Sequence, residues 1–174
     1  MSHVTSLADH LAPDSINRLE RVARRRYDDA VRLLSHPRHH LAAIYLFGYC
    51  VEMCLSAAYY RRAGFHANTP IDRDMRQRRM AQARQLRTPA GRPLMNSDPH
   101  PLVGWARLLN WRRSASAELT AQETQRLHEA INKAELVYKH WRPELRYKIA
   151  DVMLEQLGEV RKATFWFIEQ LGRL

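Results

Sequence analysis

The sequence predicts an all-α protein, an antiparallel up-and-down bundle of four to five main helices with a basic insertion. Three observations point there. Apolar residues recur at helical spacing in successive stretches. No stretch alternates apolar and polar residues as a half-buried strand would. One segment, residues 41–60, is apolar nearly all round, as the inner helix of a bundle has to be. The chain has 174 residues, the size of one domain, and that is enough to bury a core without a metal or disulfide staple. Residues 1–13 read as a tail and 14–174 as the domain, with an Arg-rich insertion at 66–99.

The first predicted helix covers Asp14 to Ser35. Ile16, Leu19, Ala23, Tyr27, Ala30 and Leu34 share one face, Asp14 or Ser15 can cap the start, and His36-Pro37 ends it. Arg38 to Ala63 is the apolar helix, stopped by Gly64. The apolar run within it, Leu41 to Tyr60, matches a bilayer span in length. Glu52 past its middle argues instead for a covered helix in a water-surrounded bundle, because a carboxylate in lipid is expensive. Asp72 to Arg87 is a marginal, exposed helix with a thin apolar edge of Met75, Met80, Ala83 and Leu86. Thr88 to Pro101 holds four prolines and a glycine and reads as loop. Pro101 to Arg113 is a short helix faced by Leu102, Trp105, Leu108 and Leu109. Thr120 to Trp141 opens on the capping box Thr120-x-x-Glu123 and carries Leu127, Ile131, Ala134, Tyr138 and Trp141. After Pro143, a last helix runs from Ile149 to Leu171.

The charge balance is strongly basic. There are 28 Lys and Arg against 18 Asp and Glu, a net charge of +10, and only four of the 28 are lysines. Residues 72–87 hold Arg73, Arg76, Arg78, Arg79, Arg84 and Arg87 against Asp72 and Asp74. Arginine grips phosphate through two parallel hydrogen bonds where lysine offers a point charge, so this stretch is the candidate contact for RNA or another polyanion. A solvated face and a dock for an acidic protein are the rival readings. No Gly-rich phosphate loop is present. Two cysteines exclude a disulfide framework, and the start of the chain lacks the pattern of a secretory signal. A cytoplasmic protein without a membrane span is therefore expected.

Several motifs line up with a known family. Ala43, Tyr45, Leu46, Gly48, Tyr49, Glu52, Leu55 and Ala57 match the second-helix pattern Ala-x-Tyr-Leu-x-Gly-Tyr-x-x-Glu-x-x-Leu-Lys-Ala, with Ser56 in place of the lysine. His100-Pro-Leu102 is similar to that family's His-Asp-Leu step, and Trp141-Arg-Pro-Glu-Leu-Arg-Tyr147 to its turn before the final helix. On these landmarks the chain resembles the HEPN domain, from about Arg26 to its end. The resemblance implies a bundle of four to five helices, frequently homodimeric, associated with RNA or nucleotides. It also implies a neighbouring nucleotidyltransferase in a toxin–antitoxin, stress or phage-defence setting; an acidic antitoxin held by the arginine segment is the partner expected of an interaction module. Ribonuclease members of the wider family carry Arg-x4–6-His. Here Arg61 and His66, and less well Arg32 and His39, fit that spacing, but neither pair lies where the family keeps its site. A catalytically degenerate RNA-binding protein is the expected outcome. An endoribonuclease using Arg61 and His66 is the alternative, with the His moving the proton and the Arg stabilising phosphate charge. A dimeric interaction module is the third reading.

Three further constellations remain. Glu52, on a covered helix, needs a partner, and Arg146 and Tyr147 are the candidates for a structural polar hub. Cys50 and Cys54 lie one turn apart, but no second ligand pair has zinc spacing, so buried thiols are expected and neither a metal nor a cofactor. Trp105, Trp111, Trp141 and Trp166 are expected in the core, with a base-stacking role for Trp111, beside Arg112 and Arg113, as the alternative.

Overall fold

A computed structural model of the chain describes residues 15–87, 91, 93–95, 100–116, 119–148 and 151–174. It is all-α. Among the described residues six α-helices run in chain order, α1 (Ile16–Leu33), α2 (His40–Arg62), α3 (Arg73–Gln85), α4 (Leu102–Ser116), α5 (Ala121–His140) and α6 (Leu154–Glu169). The described residues form no strand; Arg87 and Pro93 make an isolated antiparallel bridge. The predicted tail 1–13, Asp14 and most of the loop 88–99 lie outside the described residues.

Local signals set most boundaries. Ser15 caps α1, its hydroxyl accepting from the Arg18 N–H at 3.2 Å. Pro37 opens a three-residue 3-10 turn that leads into α2. Gly64, at φ +83°, follows α2 in the left-handed region open to glycine. Asp72 caps α3 by accepting from the Met75 N–H at 2.7 Å. Both halves of the Thr120/Glu123 capping box form at the head of α5. The last helix starts later than its apolar periodicity suggested. Residues 151–153 are not helical; Val152 still packs against the core, while Met153 and Leu154 remain 62% and 72% exposed.

α2 is the inner helix. It touches α1, α4, α5 and α6, and buries Phe47, Cys50, Val51, Cys54, Leu55, Ala57 and Ala58 at no more than a few per cent exposure. By length and composition it could cross a membrane; here its neighbours cover it. Trp141, fully buried, closes the core where α5 ends. Its indole N–H donates to the Tyr45 carbonyl at 3.0 Å, and its ring lies flat over Gly48. Trp105 is buried too, whereas Trp111 is 36% exposed. That is a correction to the four-tryptophan core, because Trp111 turns away from the α4 face that carries Leu108 and Leu109. Between helices, Arg113 of α4 pairs with Glu123 of α5, and His140 of α5 lies 3.7 Å from Glu159 of α6.

The basic stretch is more integrated than its composition suggested. Ile71 and Ala83 are buried, Leu94 and Met95 fold back under it, and the Leu94 N–H donates to the Leu86 carbonyl at 3.0 Å. Gly104 of α4 allows this close approach, since a Cβ there would sit 3.2 Å from the Leu94 carbonyl oxygen.

Candidate functional site, a polar cleft between α2 and α3

One side of α2 carries Tyr45, Tyr49, Glu52, Ser56 and Tyr60, residues three to four apart and therefore stacked along one face. α3 packs beside the later part of that face and leaves a cleft of about 230 Å³. Glu52, Ser56 and Tyr60 line one wall, Arg76 and Arg79 the other, and His100 closes the end, with Leu19, Met53 and Ile71 supplying apolar surface.

Glu52 has its partner in the cleft. His100 Nδ1 lies 3.0 Å from both carboxylate oxygens, and the imidazole packs edge-on against Tyr49 and Trp141. This corrects the hub expected of Glu52, Arg146 and Tyr147. The 3-10 turn Pro143–Tyr147 points Tyr147 outward, 74% exposed, and sends Arg146 to the Tyr45 hydroxyl, two helical turns short of Glu52. Burial, the Tyr45 hydrogen bond and the Glu52 charge together push the Tyr49 phenol up to about 12, so it stays a neutral hydroxyl across the working pH range.

Arg79 is the odd member of the six arginines. Its guanidinium stacks 3.9 Å from the Trp105 ring centroid and 5.1 Å from that of Tyr60, and one Nη donates to the Ser56 hydroxyl at 2.7 Å. Burial pulls its pKa below the usual arginine value. Its Nε and the Tyr60 hydroxyl are buried and have no hydrogen-bond partner among the described residues. The other five, Arg73, Arg76, Arg78, Arg84 and Arg87, are exposed. Arg87 donates to the Arg84 and Leu86 carbonyls, which holds the end of the helix. Arg73, Arg76 and Arg84 share a shallow groove with Gln77 and Met80.

The Arg61/His66 pair is not assembled. Arg61 is held by Glu20 of α1, and His66 is exposed, its Nδ1 accepting from the Asn68 N–H at 3.3 Å. Arg32 pairs with Asp29 at 3.7 Å, while His39, in the 3-10 turn, meets the His36 ring edge-on. Cys50 and Cys54 are buried free thiols, and burial raises the Cys50 thiol well above its ordinary value. Among the described residues, no three His, Cys, Asp or Glu side chains converge as a metal site requires.

Sequence reasoning missed His100 as the partner of Glu52 and Arg79 as an inward residue. The first is 48 residues from its partner, and no spacing rule spans that distance. The second had a signal. Ala83, one of the apolar edge residues, lies one turn beyond Arg79, which places the arginine on the packed side of α3. No family model matches the chain, and neither a curated protein nor a solved structure matches it.

Proposed function

We propose that the chain is a HEPN-like, catalytically degenerate helical protein that binds single-stranded RNA through the outer face of α3. The observation that carries this reading is the one-signed array of Arg73, Arg76, Arg78, Arg84 and Arg87, all exposed along and just beyond one helix. The acidic residues of that segment, Asp72 and Asp74, are confined to its start, where Asp72 is used as the cap. The outer face is thus left cationic. Exposed arginines on a rigid helix can meet successive phosphates through paired hydrogen bonds, and nothing in the array reads base edges, so binding is sequence-tolerant. Support for degeneracy comes from Arg61 and His66, which are engaged separately.

The protein works in the cytoplasm as a homodimer, beside a nucleotidyltransferase or an antitoxin in a toxin–antitoxin, stress or phage-defence system. Filter binding to single-stranded RNA over a salt series tests the reading. Five neutralised phosphates give a slope of log K against log salt of roughly −3.5. A flat response, with tight binding to an acidic protein instead, overturns it in favour of the interaction module. Metal-independent RNA cleavage lost in His66→Ala overturns it in favour of the endoribonuclease.

A further inference from the structure

A chain with a net charge of +10 repels copies of itself over most of its surface, so a face that pairs with a second copy has to be free of that excess. The helices differ in this respect. α1, α2, α3 and α4 each hold more Arg and Lys than Asp and Glu. α5 balances the two signs, and α6 lies on the acidic side, with Glu155, Glu159 and Glu169 against Arg161 and Lys162. α6 is also where large apolar side chains meet water. Leu154 is 72% exposed and Phe165 44%, and Met153, just ahead of the helix, is 62% exposed. A lone exposed leucine is ordinary. Leu154 and Phe165, however, are eleven residues apart, three helical turns, and so lie in one line along the outer face. Tyr27 of α1 touches the Phe165 ring, with 5.7 Å between centroids, and fixes its place on that line. Gly158 lies between the two on the same line, and a Cβ there would meet nothing within 4 Å, so the middle of the face is bare backbone.

The charges beside this line complement a copy of themselves. Glu155 and Lys162 are exposed on one flank, seven residues apart. That is about 10 Å along the axis, too far for an ion pair within the helix. A two-fold axis crossing the middle of α6 lays two such helices antiparallel, with Leu154 of each copy against Phe165 of the other. Such an axis brings like flanks together, so the same operation sets Glu155 of each copy beside Lys162 of the other. Both contacts are thus made twice. Arg161 of one copy comes opposite Gly158 of the other, where the missing side chain leaves room for the arginine stem to lie across and turn its charge to water.

We propose that the outer face of α6 is the surface on which two copies of this chain pair, antiparallel about a two-fold axis. Leu154 and Phe165 supply the apolar contact, and Glu155 with Lys162 fix the direction and register. The pairing rests on the homodimeric state proposed above and gives that state a surface. The arginine array of α3 takes no part in it.

Sedimentation velocity of the full chain over a range of concentrations, without RNA, tests this. A monomer–dimer equilibrium is expected. Leu154→Glu, at a site open enough to leave the fold intact, shifts it to monomer. Glu155→Lys sets two cations side by side and weakens the dimer about tenfold, and Lys162→Glu does the same with two anions. The double variant with both reversals restores wild-type affinity, a rescue that loss of folding could not produce. A chain that stays monomeric at every concentration overturns the proposal and the homodimeric state with it. A dimer indifferent to Leu154→Glu, or one that the double reversal fails to restore, overturns the α6 surface and leaves a homodimer built on another face. RNA binding over the salt series is read separately, so failure of the RNA reading is distinguishable from either result.

Discussion

His100 Nδ1 lies 3.0 Å from each carboxylate oxygen of Glu52, tying the approach to α4 to the middle of α2. The side chains are 31% and 18% exposed, so the pair is shielded without being fully withdrawn from water. A hydrogen bond to a charged group in such a setting contributes about 1.5–3 kcal/mol, below the 3–5 kcal/mol lost when a fully buried pair is broken. Glu52→Ala is expected to cost about 2 kcal/mol in urea denaturation. Glu52→Gln keeps an acceptor for the imidazole N–H and costs about half that. Wild-type stability in Glu52→Ala would show that the pair carries no structural weight.

Gly48 reverses an ordinary rule. Alanine in place of glycine inside a helix usually stabilises by about 1 kcal/mol, because the backbone has less freedom to lose. Here a Cβ would stand 2.2 Å from three ring atoms of Trp141, and that ring cannot retreat while its N–H is bonded to the Tyr45 carbonyl. Overpacking of this kind costs about 1–3 kcal/mol or more. Gly48→Ala should therefore lower the melting temperature, with a change in tryptophan near-UV circular dichroism. A rise in melting temperature would contradict the close contact.

How legible these features were in the sequence follows from how local they are. Ser15, Thr120 with Glu123, and Gly64 act within one helical turn, and each helix end they announced is where it forms. The inner position of α2 was legible because it lacks a polar face. The start of α6 was not. Its apolar periodicity continues upstream, but Met153 and Leu154 find no surface to cover. Nor was the cleft, since Glu52, Arg79 and His100 come from three places that only the packing of α2, α3 and the segment before α4 brings together.

Arg73 and Arg79 stand six residues apart on one helix and should respond to mutation in opposite ways. Arg73 is exposed, so Arg73→Ala alters stability by no more than about 0.5 kcal/mol and reduces the magnitude of the RNA salt slope by roughly 0.7. Arg79 loses its stack on Trp105 and Tyr60 and its bond to Ser56 on truncation. Desolvated cation–π contact contributes about 2 kcal/mol, and the Ser56 hydroxyl loses its donor. Arg79→Ala is expected to destabilise by about 2–3 kcal/mol with little change in salt slope. Equal effects of the two variants in either assay would mean that the helix does not present one arginine inward and the others outward.

Glu123 gives a pH dependence with a definite sign. Hydrogen bonds from Arg113 and from the Thr120 backbone and hydroxyl hold its carboxyl down, from 4.5 to about 2. The folded state therefore favours the carboxylate. Its contribution is complete above the unfolded value of 4.5 and fades as the pH falls from there to about 2. Glu123→Gln removes the titration while leaving an acceptor at the head of α5. Thermal melts at intervals from pH 6 to about 2 should show the wild type ahead of Glu123→Gln at the upper end, with the gap narrowing below about 4.5 and closing near 2. A gap that stayed constant through this window would mean that the Arg113 contact between α4 and α5 does not depend on the charge of Glu123.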